Sequence, residues 1–166
     1  MAIEHDYFGL LSSGPDGSIF WSETVDLGDQ TVTVDLTAPD QDDISPDALD
    51  IAAALISGLD NVDAAARRGM LAEVDDRTSE VTEFILQQQE AFGEDLSDML
   101  IDVSGDDAVD LIRSLRLMSM TILADEHGGT EPFAVLEYAL DADDTDEVLL
   151  VNLASDGSVQ SVMSAD

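Results

Sequence analysis

The sequence predicts an α+β fold: an antiparallel sheet built from an N-terminal meander and C-terminal strands, with a central group of helices packed on one face. Three observations carry this. Apolar and polar residues alternate over the first forty positions and again over the last fifty. Between them, apolar residues recur at helical spacing. The order is therefore β-rich, α-rich, β-rich, without the regular βαβ alternation of a parallel sheet. With 166 residues, 45% of them hydrophobic, the chain suits one domain, residues 1–166, with a single core, and is too apolar for a disordered chain.

The elements follow in order. YFGLLSS and SIFWSETV read as strands separated by the turn GPDG, where Pro15 presets φ and Gly17 tolerates a positive one. After a break at Leu27-Gly28-Asp29, QTVTVDLT sets Val32, Val34 and Leu36 against Thr31, Thr33 and Asp35, one buried and one wet face. Ser45-Pro46 starts a helix, serine as N-cap and proline at the first turn, with Leu49, Ala52, Leu55, Ile56 and Leu59 on its stripe and Gly58 near its stop. Asn61 is the expected cap of a second helix bearing Val62, Ala65, Ala66, Gly69 and Met70 on one side; on it Asp63 and Arg67 stand four apart, an exposed pair worth about 0.3 kcal/mol. Thr78 or Ser79 caps a third, with Val81, Phe84, Ile85 and Phe92 as its stripe. Shorter helical stretches follow around residues 96–101 and 109–115. Among the C-terminal strands, Met118, Met120 and Ile122 share one face, as do Ala134, Leu136, Tyr138 and Leu140. VLLVNL (148–153) is more continuously apolar, as a central strand is, and Asp156-Gly157 beyond it signals a two-residue hairpin.

Charge narrows function more than length does. The chain carries 38 carboxylates against five cations, a formal net charge of −33, and all five cations are arginine. Residues 1–66 hold fourteen carboxylates and no cation, and residues 117–166 hold eleven and none. Such a field repels the phosphate backbone and an anionic membrane surface, so neither nucleic acid nor membrane is an expected partner. The composition resembles proteins of high-salt cytoplasm, whose surface carboxylates hold water and loosely bound salt cations, while a GC-rich genome is a second explanation of a lysine-free, arginine-only cation set. Cysteine is absent, which rules out disulfides and thiolate metal sites and leaves the redox compartment unread. The N-terminus lacks the basic and apolar regions of a signal peptide and no run reaches the ~20 apolar residues of a membrane span, so a cytoplasmic location is expected.

The candidate sites are few. Asp141, Asp143 and Asp144 open like a calcium loop, but Asp146 stands where glycine is needed, Asn152 where the bidentate glutamate belongs, and strand patterns flank the segment. A solvated hairpin tip that condenses cations loosely is the favoured reading. Asp125 and His127, next to Gly128-Gly129, offer a general base or a metal ligand. With His5 as the only other histidine, the sole histidine pair available to a metal is His5/His127, and a solvated loop accounts for the cluster equally well. Arg113 and Arg116 could clamp a carboxylate or phosphate, although pairing with Asp110 and other neighbours to relieve repulsion is the preferred reading. Trp21, Phe20 and Tyr7 could form an aromatic patch for a partner, with core packing their commoner fate. No nucleophile elbow or phosphate loop is present, and no cofactor is implied.

Tyr7-Phe8-Gly9, the Trp21 strand, Val32-Thr33-Val34-Asp35-Leu36 after a glycine turn, Ile44, and the alanine-rich helices that follow resemble a bacterial and archaeal family catalogued as domain of unknown function two thousand and four. The similarity spans the first 75 residues or so. It implies helices followed by antiparallel strands, and no activity, substrate or cofactor. The extreme acidity departs from the family pattern.

Three functional readings follow in order. The first is a non-catalytic interaction or accessory domain whose acidity serves solubility and whose partner is another protein. The second is an acidic inhibitor or nucleic-acid mimic that occupies a basic protein, which needs its charges on one face. The third is a small enzyme or ligand-binding protein with Arg113, Arg116, Asp125 and His127 around a pocket.

Overall fold

The computed structural model describes residues 2–12, 14–15, 17–28, 30–38, 44–100, 104–123, 132–140 and 147–165. Among these residues, eight strands and a central helical block form an α+β architecture, with helices packed against a six-stranded, mostly antiparallel sheet. The strands are β1 (Ala2–His5), β2 (Gly9–Ser12), β3 (Ile19–Leu27), β4 (Gln30–Ala38), β5 (Arg116–Leu123), β6 (Ala134–Ala139), β7 (Val148–Leu153) and β8 (Val159–Ala165). The helices are α1 (Pro46–Ser57), α2 (Leu59–Leu71), α3 (Glu80–Phe92), α4 (Leu96–Met99) and α5 (Asp107–Ser114), with a single 3-10 turn before α4.

The large sheet runs β3-β4-β5-β6-β7-β8. Its neighbours are antiparallel except for β4 and β5, which pair in parallel from Thr33↔Ser119 to Thr37↔Leu123. The expected all-antiparallel order breaks here for a topological reason. The whole helical block lies between these strands, and a long crossover brings the chain back in its original direction. The meander is also revised. Tyr7 and Phe8 fall in a turn and Gly9 takes φ 71, so the first residues fold into a separate two-stranded hairpin, β1-β2. That hairpin stands beside β3 on the helical side: Phe8 meets Trp21 edge-on at 4.8 Å between ring centroids, and His5 bonds to Asp50 of α1.

Local signals set the helix ends. The Ser45 hydroxyl accepts from the Ala48 amide and Pro46 begins α1. The Ser79 hydroxyl likewise caps α3 by accepting from Val81. Asn61 is not the cap of α2. Gly58 ends α1 and opens α2 at once, its carbonyl accepting from the amides of Asn61 and Val62, so the two helices share one residue. Gly69 permits close packing of α2 on the sheet, since a Cβ there would sit 3.2 Å from the Val159 side chain.

The core lies between this helical layer and one sheet face. Val34, Leu36, Met120, Ile122, Leu136, Tyr138, Leu149 and Val151 rise from the strands to meet Leu49, Ala52, Met70, Phe84, Leu111 and Ile112, all buried. Met118 does not share the face of Met120 and Ile122. The register shifts between Leu117 and Ser119, and the bulge leaves Met118 half-buried while Leu117 takes the core position. The Asp156-Gly157 turn is one residue longer than a two-residue hairpin. Gly157 N donates to Ala154 O, Ala154 N donates to Ser158 O, and Gly157 supplies the positive φ of 85° that closes a three-residue loop.

Candidate functional site

The most organised polar cluster ties α2 to the α5–β5 junction. Arg67 Nε donates to both Asp63 oxygens, at 3.1 and 3.2 Å. Its two terminal nitrogens donate to the carbonyls of Ile112 (3.0 Å) and Leu115 (2.7 Å), where α5 ends. The Tyr138 hydroxyl donates to Asp63 Oδ1 at 2.7 Å, and the guanidinium lies 5.2 Å from the centre of the Tyr138 ring. Burial first, then the neighbouring Asp63 charge and the bond to it, push the Tyr138 hydroxyl well above its ordinary 10.0, so it stays a donor. The Asp63–Arg67 pair is therefore no exposed surface bridge: the side chains are only 18% and 19% exposed. One arginine neutralises a carboxylate and caps the carbonyl end of a helix, where positive charge is favoured. All three of its nitrogens donate inside the fold, which points to a structural role.

Asp110 is the second such group. It is covered from solvent yet lies shallow, accepting from Ser104 N (2.8 Å) and the Ser104 hydroxyl (2.7 Å). The hydroxyl bond does most to hold its carboxyl below the ordinary 3.8. Desolvation opposes it, while the Ser104 and Gly105 amides and then the Arg113 charge add to it. A carboxylate with a depressed folded pKa stabilises the fold above its unfolded value and loses that contribution as pH falls through the folded one. Asp110→Asn is thus expected to melt below wild type at pH 7. The gap should begin to narrow below about pH 4, the ordinary carboxylate range, and vanish as pH falls further through the depressed folded value; paired thermal melts across that range check it. Asp76 and Asp156 are lowered too, each chiefly by the hydroxyl two residues on, Thr78 or Ser158, whose amide also donates to it. These acids staple turns.

Arg113 sits exposed in the last turn of α5, and Arg116 opens β5, exposed and opposite Ala139. Asp125, His127, Asp141, Asp143 and Asp144 lie outside the described residues. His5 is held by its own neighbours: Nε2 donates to Asp50 Oδ1 at 2.8 Å, and Nδ1 accepts from the Tyr7 amide at 3.1 Å. With both ring nitrogens engaged, this geometry leaves neither for a metal. Among the described residues no three His, Asp or Glu side chains gather into a metal-holding group, and no helix is long and apolar enough to cross a membrane. Gln88 is fully buried on α3; its amide nitrogen donates to Glu147 at 2.6 Å, and its Oε1 has no partner among the described residues. A groove of about 440 Å³ opens beside the end of α3, lined by Gln89, Glu94, Leu96, Ser97, Leu100 and Asp107, and it takes in neither Arg113 nor Arg116.

The remaining surface of note is the sheet face turned away from the helices. Side chains alternate along strands, so the registers place Phe20, Asp35, Thr121, Val135, Glu137, Leu150, Asn152 and Met163 on that face. Every one of them is half-buried or exposed, Phe20 at 67% and Met163 at 43%. The aromatic group of the first strands is thereby divided. Phe20 points to the open face, while Trp21 and Phe8 pack inward and Tyr7 stays at the rim. VLLVNL meets a core only through Leu149, Val151 and Leu153. Val148 and Leu150 are left on the open side.

These layers define an α+β protein whose sheet packs one face against helices and whose other face, among the described residues, carries half-buried or exposed side chains apart from Ala139. No known family model, no curated protein and no solved structure matches this chain.

Proposed function

We propose that the protein is a non-catalytic interaction or accessory domain of a salt-rich cytoplasm that binds another protein through its open sheet face. One observation supports this above the rest: β7 is almost continuously apolar, yet Val148 and Leu150 face away from the helical layer and, among the described residues, are only half-buried. A strand written for two dry faces and given one is what an interface strand looks like before its partner arrives. The acid-rich helical layer, with Asp47, Asp60, Glu80, Glu83, Glu90 and Asp98 exposed, serves as the hydrated side.

That same asymmetry is the observation favouring the acidic-inhibitor reading, since it gathers charge on one layer. Photo-crosslinking residues placed at Met163 on the sheet face and at Glu83 on the helical layer, in cells, separate the two. Adducts confined to Met163 are the expected result. Adducts confined to Glu83 and formed with a basic protein would replace this reading with the inhibitor; protein adducts from neither position would end both.

A further inference from the structure

We infer that the open sheet face is the contact between two copies of this chain, packed sheet on sheet about a two-fold axis. The inference rests on the interaction reading above and names its partner.

Charge selects the occupant. A basic protein would be drawn to the carboxylates of the helical layer. A second copy, with the same formal charge of −33, is repelled by every surface rich in them. The half of the open face formed by β5 to β8 is where that repulsion is least. Thr121, Leu123, Val135, Val148, Leu150 and Met163 lie there, and Glu137 is the single carboxylate that the registers place among them. Edge strand β8, Val159–Ala165, carries no charge at all, whereas the opposite edge, β3, contains Glu23 and Asp26. An uncharged edge beside an uncovered apolar face is a surface left open to pairing.

The two charged groups on this half complement each other. The bulge after Leu117 turns Arg116 to the open side, opposite Ala139 and on the same face as Glu137. Neither Arg116 nor Glu137 has a hydrogen-bond or ion-pair partner among the described residues. A two-fold contact requires that a residue meeting a second on the partner be met in return by the same pair. One unpaired cation and one unpaired anion per copy meet that requirement, Arg116 of each copy facing Glu137 of the other. Four strands, β5 to β8, at ~4.8 Å spacing and about 20 Å in length project roughly 400 Å², which with surface relief puts the contact at the small end of the range, below the ~800 Å² per partner of a standard interface. Two sheets stacked this way would close a sandwich over Val148 and Leu150.

Sedimentation equilibrium of the full chain in 2 M KCl, where repulsion is screened, should give twice the 17.7 kDa chain mass, with weaker association at 0.1 M. Leu150→Asp should loosen the dimer by roughly 30-fold or more, as loss of a central contact does. If its circular dichroism shows misfolding, Met163→Asp, at an exposed position, gives the same readout. Arg116→Glu should weaken association and Glu137→Arg in the same chain should restore it; a merely structural arginine would not be rescued this way. A monomer at millimolar concentration in 2 M KCl, or a dimer indifferent to both aspartate variants, overturns the inference. The interaction reading survives a monomer that still yields Met163 adducts with another protein, and falls with one that yields none.

Discussion

Melting temperature should climb steeply with KCl. At −33, folding gathers like charges into a small volume, and that self-repulsion destabilises the compact state. The Debye length shrinks from about 10 Å at 0.1 M to about 3 Å at 1 M, so carboxylates on neighbouring helical turns stop sensing one another only at the higher salt. The described helices supply many such neighbours, Glu80 with Glu83 and Glu94 with Asp98 among them, all exposed. Arginine–carboxylate contacts that salt would weaken include Asp63–Arg67, which is largely sheltered, and the Arg113 charge near Asp110. Relief of about 3 kcal/mol, at roughly 3 °C per kcal/mol for a chain of this length, raises the melting temperature by about 10 °C. Calorimetry from 0.1 to 2 M KCl measures it. A flat response would mean that the acid coat does not govern stability. KCl and tetramethylammonium chloride at equal ionic strength should agree closely if the cations are held diffusely.

Arg67→Ala should be the most damaging single change on the polar surface of the helices. It removes the partner of Asp63, leaves that carboxylate facing the Tyr138 hydroxyl alone, and strips the caps from the Ile112 and Leu115 carbonyls. Breaking a sheltered pair by removing one member costs about 3 kcal/mol, close to 9 °C by the same conversion. Arg77→Ala, at an exposed site between α2 and α3, should stay within ~0.5 kcal/mol. Arg67→Lys should not restore stability, because an ammonium cannot bridge a carboxylate and two carbonyls as the planar fork does. Thermal melts of the three variants in 2 M KCl decide the matter. Equal losses for Arg67→Ala and Arg77→Ala would show that charge count matters and the network does not.

Much of the fold was legible in the chain, because it is written in short-range chemistry. Ser45 and Ser79 announced their helices through caps that need only the next few residues, and the alternation of Val32, Val34 and Leu36 named the buried face of β4 directly. The candidate polar residues were less legible. The Asp63–Arg67 spacing was visible, but its worth was not: that depends on Tyr138, seventy-five residues away from Asp63, and on carbonyls at the far end of another helix. A buried tyrosine in a strand was a signal that its hydroxyl needed a partner somewhere. Asp110 carried no such signal, because nothing local shows that Ser104 folds back onto it.

By itself, then, the sequence determined the fold class, the starts of α1 and α3, the buried alternation of β4 and β6 and the sign of the surface, since each follows from residue type and spacing alone. Tertiary structure decided the rest: the parallel pairing of β4 with β5, the separation of the first hairpin, the sheltering of Arg67, and which apolar residues of β7 are left uncovered. The physical reason is range. Periodicity tells a residue which side of its own element it occupies. Whether another layer lies over that side is settled only when distant parts of the chain compete for it.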